Sequence, residues 1–178
     1  MNRLFVGLEV PEPIKQHIAL MCHGVPGARW QTNDQIHVTL RFIGEVAPPK
    51  AADIDAALSA VQAPRFSVRF KGVDIFGESK KPRVLWTGME PEEDVQHLRD
   101  KVESALVRCG VTPEKRKFKP HLTLARFKER PRRLGQFLAA NNDFSTEYFP
   151  VEDFILFESH LSRNGAQYEV KARYPLLQ

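Results

Sequence analysis

Two short segments carry the residue types that proton transfer needs: His37-Val38-Thr39-Leu40 and His121-Leu122-Thr123-Leu124. Side chains two residues apart on a strand share a face, so each segment presents an imidazole beside a hydroxyl and turns its apolar residues the other way. Imidazole titrates near neutrality, so one histidine can take a proton while the other gives one. In-line attack at phosphorus needs that pair, on opposite sides of one atom, with hydroxyls donating to the non-bridging oxygens. A single His-x-Thr on a strand is usually a polar pair facing solvent. Repetition carries the weight here: six histidines among six threonines give about 0.2 such triplets by chance, and these two share the following leucine. On residues alone the two histidines are interchangeable.

Strands must hold these motifs. Residues 3–10 are rich in Leu, Val and Phe and stop at Pro11-Glu12-Pro13, which predicts a buried strand and then a helix over 13–22. Residues 36–43 alternate apolar and polar types and predict a strand ended by Gly44. A helix over 48–61 and a strand over 66–76 follow. The second half repeats the order: strand 83–88, helix 91–109, strand 121–127 and a short helix Leu134–Ala140. Strands 149–158 and 167–174 come last, joined through Ser162-Arg163-Asn164-Gly165, whose Asn-Gly pair favours a hairpin. The duplicated order predicts an α+β fold of two pseudo-symmetric lobes, each a mainly antiparallel sheet with flanking helices, around a central cleft. Residues 1–178 form one domain on this reading, its lobes coming from the two sequence halves and meeting near 77–81.

The chain of 178 residues is 42% hydrophobic and 27% charged, which allows an ordinary core and argues against disorder. Its apolar runs are too short to cross a bilayer, and no signal-peptide core forms before Glu9 and the two prolines. Cys22 and Cys109 match no zinc or CxxC spacing, so no metal site or disulfide framework is expected, and a cytoplasmic setting fits. The net charge of +4 hides an asymmetry. Residues 115–133 hold nine basic side chains and one acid, +8, leaving 17 basic against 21 acidic residues elsewhere, −4. Such a zone can attract a polyanion, with nucleic acid the obvious candidate partner; the alternative reading is a solvated basic face without a partner.

Other histidines invite less. His17, His23 and His97 fall on predicted surface positions, and His160 lies near the final hairpin. Trp30, Phe5 and Phe118 are the aromatic candidates for stacking a base. No P-loop, dinucleotide fingerprint or carboxylate pair is present, so no cofactor is expected.

On these motifs the chain resembles the two-histidine (2H) phosphoesterases, and within them the RNA 2′,3′-cyclic phosphodiesterases, historically called 2′-5′ RNA ligases. Arg3-Leu4-Phe5-Val6-Gly7-Leu8 resembles the family's opening strand, and Pro82-Arg83-Val84-Leu85-Trp86 its central strand. Gly27-Ala28-Arg29-Trp30 with the His37 strand resembles the first signature region, and Phe118-Lys119-Pro120-His121-Leu122-Thr123-Leu124-Ala125-Arg126 the second. The resemblance implies a bilobal fold and metal-independent hydrolysis of an RNA 2′,3′-cyclic phosphate to a 2′-phosphomonoester. It makes His37 the proton donor and His121 the proton acceptor, with Thr39 and Thr123 beside them. It implies RNA ends, tRNA fragments among them, as partners of a monomer without a membrane association. Rival readings are ATP-independent 2′-5′ RNA ligation, action on a small cyclic nucleotide, and a catalytically inactive RNA-binding module. Arg126 matches the arginine that follows the second motif, but strict alternation puts it on the face opposite His121, so it needs a bulge to reach the site. Arg41 has the right parity and is the second phosphate-binding candidate.

Overall fold

Leu4, Val6 and Leu8 project from one face of β1 (Asn2–Leu8) and Phe5 from the other, yet all four are buried. A strand apolar on both faces needs cover on both sides and a neighbour at each edge. In the computed structural model, which describes residues 1–178, β1 is an inner strand of a four-stranded antiparallel sheet. The first motif's strand, Val38–Val46, lies on one side of it, and Asp153–Ser162 followed by Gly165–Pro175 lies on the other. Leu4, Val6 and Leu8 enter the main core, whereas Phe5 joins Ile155 and Phe157 in a small separate cluster on the opposite face.

Numbered in chain order, the remaining strands are β2 (Arg29–Trp30), β3 (Val38–Val46), β4 (Phe66–Glu78), β5 (Lys81–Glu90), β6 (His121–Arg126), β7 (Phe149–Val151), β8 (Asp153–Ser162) and β9 (Gly165–Pro175). The second sheet runs β2-β6-β5-β4-β7, again antiparallel. The helices are α1 (Glu12–Met21), α2 (Pro48–Ser59), α3 (Glu92–Arg108) and α4 (Leu134–Ala140). In α3 the acids Glu92, Glu93 and Asp94 fill the first turn and Arg108 the last, as the helix dipole favours, and Val95, Leu98, Val102, Ala105 and Leu106 are buried. This helix packs on α2 and on β3, the strand that carries Thr39. No helix is long and apolar enough to cross a membrane.

Three expectations need correction. The lobes are not the sequence halves: β4 sits beside β5 in the second sheet, and β8 sits beside β1 in the first. The first half therefore sends β2 and β4 into the second sheet, and the second half sends β8 and β9 into the first. Residues 77–81 are consequently not a seam but a tight hairpin, with Glu78 paired to Lys81 and β4 and β5 continuing one sheet. The strand expected over 149–158 is broken at Glu152, because β7, with Pro150 at the sheet edge, pairs with β4 while β8 crosses to β1. Finally, β3 runs on through Gly44 to Val46, and the sheet order keeps it paired with β1 throughout.

One glycine governs how closely the first motif approaches β1. A Cβ on Gly7 would lie 2.5 Å from the carbonyl oxygen of Val38, where the β1–β3 register changes. Gly7→Ala is expected to cost about 2 kcal/mol of stability. A denaturation midpoint equal to wild type would show that the strands can part without cost.

Candidate active site

Both histidine motifs end in a β-bulge, and the bulges build the site. In β3, Val6 pairs with Arg41 but Gly7 pairs with Thr39, which leaves Leu40 as the extra residue. In β6, Leu85 pairs with Ala125 but Trp86 pairs with Thr123, which leaves Leu124 as the extra residue. A bulge reverses the alternation beyond it. Leu40 and Arg41 are consequently both buried, as are Leu124 and Ala125, and the next residues, Phe42 and Arg126, return to the face of the His-Thr pair. Arg126 thus reaches the site by the bulge that alternation required.

His37, Thr39, His121, Thr123 and Arg126 line one pocket of about 210 Å³ between the sheets, together with Phe42, Arg3, Gln35, Ser159 and Tyr168. The two imidazoles arrive from opposite sheets. Each is oriented by a carbonyl two residues upstream: His37 Nδ1–H donates to the Gln35 oxygen at 2.7 Å and His121 Nδ1–H to the Lys119 oxygen at 2.6 Å. With Nδ1 protonated, the neutral rings keep the Nε2 lone pair for the cleft. The two differ there. Thr39 Oγ1–H donates to His37 Nε2 at 2.7 Å, whereas His121 Nε2 has no hydrogen bond from the protein.

Aromatic edges hold both rings. His37 packs against Phe5 and Tyr168, each with centroids 4.9 Å away, and His121 against Phe76 at 4.9 Å and Trp86 at 5.8 Å. Burial of the His37 ring is the main reason its pKa falls to about 4, opposed by the Gln35 carbonyl and reinforced by the charge of Arg126. His121 is lowered for the same leading reason, with Arg126 and Lys119 adding to it. At neutral pH the pocket therefore presents two neutral imidazoles and the guanidiniums of Arg3 and Arg126, a combination that welcomes an anion.

Arg41 does not belong to this pocket, which corrects the parity argument for it. The bulge at Leu40 turns its side chain inward, where 6% of it remains exposed. Its guanidinium donates to Glu103 at 3.1 Å and to the carbonyls of Phe42 and Thr112 at 2.7 and 2.5 Å.

Among the aromatic candidates, Phe5 lies beneath His37, but Trp30 packs on Phe137 with centroids 5.8 Å apart and Phe118 lies under the Arg99 guanidinium at 5.5 Å. His23 and His97 are exposed, and His17 is exposed with its ring edge on Phe144. His160 pairs with Glu169 at 3.0 Å and Glu158 at 3.4 Å, outside the pocket. Sequence reading missed Arg3, Phe42, Gln35, Ser159 and Tyr168. Phe42 could have been found from the bulge; Tyr168, on the strand paired to β8, has no local signal.

Residues 11–163 match the sequence model of the 2′-5′ RNA ligase superfamily. The RNA 2′,3′-cyclic phosphodiesterase of Aeropyrum pernix is 36% identical over 156 residues, covering 84% of this chain and 88% of that protein. The protein of the same name from Archaeoglobus fulgidus is 32% identical over 170 residues, covering 94% of this chain and 96% of its own. Among solved structures, Escherichia coli LigT complexed with 3′-AMP superimposes with a TM-score of 0.79 at 25% identity, covering 99% of both chains.

Proposed function

The chain belongs to the 2′-5′ RNA ligase superfamily, and we propose that within it the protein hydrolyses RNA 2′,3′-cyclic phosphate ends to 2′-phosphomonoesters by metal-independent acid–base catalysis. One observation carries the reading: two bulged His-x-Thr-Leu strands from opposite sheets flank a single pocket, with Arg126 brought onto the same face.

The cyclic phosphate carries one negative charge, which Arg126 offsets. Thr39 and Thr123 are placed to donate to its non-bridging oxygens. A water in line with the P–O3′ bond loses a proton to His121 Nε2 as its oxygen bonds to phosphorus. The P–O3′ bond breaks, and O3′ takes the proton held on His37 Nε2. The products are a 3′-hydroxyl and a 2′-phosphomonoester, and the two rings return to their starting states by exchange with solvent.

The assignment of roles, which follows the family resemblance, is supported by an asymmetry at Nε2. His121 keeps an unshared lone pair, as a base must. Against His37, Thr39 accepts from Nε2–H when the ring is charged, and its own O–H is then free for a phosphate oxygen. Burial makes protonated His37 a strong acid, and the bound anion supplies the charge that lets it hold the proton until O3′ departs.

An oligoribonucleotide ending in a 2′,3′-cyclic phosphate, incubated with the protein and excess chelator, is expected to end as a 2′-phosphate. A 3′-phosphate product, or turnover that needs added metal, would reject the mechanism; RNA affinity without turnover would leave a binding module.

A further inference from the structure

Lys119-Pro120-His121 sets a lysine two residues before one imidazole of the pocket, and the proline favours extended backbone at Lys119. The Lys119 carbonyl accepts from His121 Nδ1–H. Its side chain returns to the same ring by a second route. The ammonium stands 5.9 Å from the centre of the Trp86 indole, close enough for a cation to be drawn to an aromatic face, and it bonds Glu92 in the first turn of α3. Trp86 stacks on Phe76 with centroids 4.8 Å apart, and both rings meet His121 edge to face. His121 is thus held at Nδ1 by the backbone of Lys119 and along its flank by the indole that the Lys119 side chain covers.

Two hollows meet at this lysine. His121 and Phe76 line one of about 280 Å³, and Trp86 and Glu92 line another of about 830 Å³. Lys119 is the one residue common to both, so its stem and the bridge to Glu92 form the wall between them. The two side chains are 46% and 47% exposed, and an ion pair so open to solvent adds little to stability. The other charges facing His121 are Arg3 and Arg126 in the pocket and Glu114, Arg116 and Lys117 in the smaller hollow; Arg41 and Arg99, also there, are bonded to Glu103. Lys71, Asp74, Glu90 and Glu93 lie in the larger hollow, beyond the wall. Burial leads in lowering both imidazoles, but the charges that add to it differ: Arg126 and Lys119 at His121, against Arg126, His121 and Lys15 at His37.

We propose that Lys119, anchored by Glu92 over the Trp86 indole, is a positioning residue for His121: it fixes the tilt of the ring and closes its flank to water from the larger hollow. The inference rests on the acid–base reading above for its effect on turnover, and on the packing alone for its effect on the ring.

Two measurements on the full chain test it: steady-state turnover of a nucleoside 2′,3′-cyclic phosphate at fixed salt, and NMR titration of both imidazoles in the free protein. Lys119→Met keeps the length of the stem and removes the cation, and kcat is expected to fall about tenfold with KM changed by less than about twofold. His121 should then titrate at higher pH, since its ring loses a neighbouring positive charge and gains water, while His37 stays in place. Lys119→Arg should restore most of both, because a guanidinium also pairs with a carboxylate and stacks on an indole. Glu92→Gln keeps the ammonium but frees it, and kcat is expected to fall about threefold. Arg65→Met, which breaks a comparably exposed pair with Glu152 outside the pocket, should change neither reading. Unchanged turnover and titration in Lys119→Met overturns the proposal. Full turnover in Glu92→Gln overturns it too, leaving Lys119 to act by charge alone, as does an equal shift of both imidazoles, which would assign the effect to the general field. Wild type without turnover, with the His121 shift still present in Lys119→Met, overturns the reading of the reaction and leaves the positioning standing.

Discussion

Alanine at His37 or at His121 is expected to lower turnover of a cyclic-phosphate end by about a hundred- to ten-thousandfold, the usual worth of a positioned acid or base. RNA affinity should stay within a few fold, because Arg126 and the basic segment 115–133 supply most of the attraction for the polyanion. The losses should not multiply in the double variant, since acid and base serve one transition state. A single variant that keeps more than about a tenth of wild-type turnover would remove its histidine from the proposed step.

The pH dependence adds a second axis to that result. Burial lowers His37 to about 4 and lowers His121 as well, so the free enzyme reaches neutral pH with both rings uncharged. A bound phosphodiester anion favours the charged form of either ring and raises both values. The basic limb of kcat, which reports the complex, should therefore lie at higher pH than the basic limb of kcat/KM, which reports the free enzyme. Arg126 acts in the opposite sense, since its charge lowers both histidines. Arg126→Gln should shift the kcat/KM profile to higher pH while weakening phosphate binding. Coincident limbs, or a shift to lower pH, would contradict the electrostatics proposed for the pocket.

What could be read from the chain beforehand follows the range of the forces involved. Helices announce themselves through local apolar spacing, and the bounds of α4 and the core positions of α3 appear where periodicity puts them. The candidate site was legible for the same reason, since His37 with Thr39 and His121 with Thr123 are local pairs repeated at equivalent places, and they line one pocket. Strand partners are set by distant sequence, and here reading failed. Nothing near residues 66–78 or 153–162 says that β4 and β8 exchange sheets, because β1 and β5, the strands that receive them, lie elsewhere in the chain. The bulges at Leu40 and Leu124 were hidden likewise, since an extra residue exists only relative to its neighbour strand. The recurring leucine after each His-x-Thr was visible, but its meaning as the bulge residue was not. That gap misplaced Arg41, left Arg126 undecided and concealed Phe42.

Arg41→Ala is expected to destabilise the fold by about 3 kcal/mol, the lower end of what breaking a buried ion pair costs. Arg41 is 6% exposed and Glu103 16%, and the guanidinium also satisfies the carbonyls of Phe42 and Thr112. Removing it orphans the Thr112 oxygen and opens a cavity; Arg99, which keeps Glu103 partnered, holds the cost near 3 rather than about 5 kcal/mol. Arg41→Lys should recover only part of the loss, because a single ammonium cannot reproduce the planar fork that reaches a carboxylate and two carbonyls at once. The effect should spread to the site through the backbone. Arg41 anchors Thr112 and Glu103 accepts from the Glu114 N–H, so together they fix the start of the segment whose Lys119 carbonyl orients His121. Chemical denaturation and steady-state kinetics well below the melting temperature separate the two roles once considered for this residue. A structural anchor predicts a large drop in midpoint with KM nearly unchanged. A phosphate ligand predicts a raised KM at wild-type stability, and that outcome would return Arg41 to the binding site.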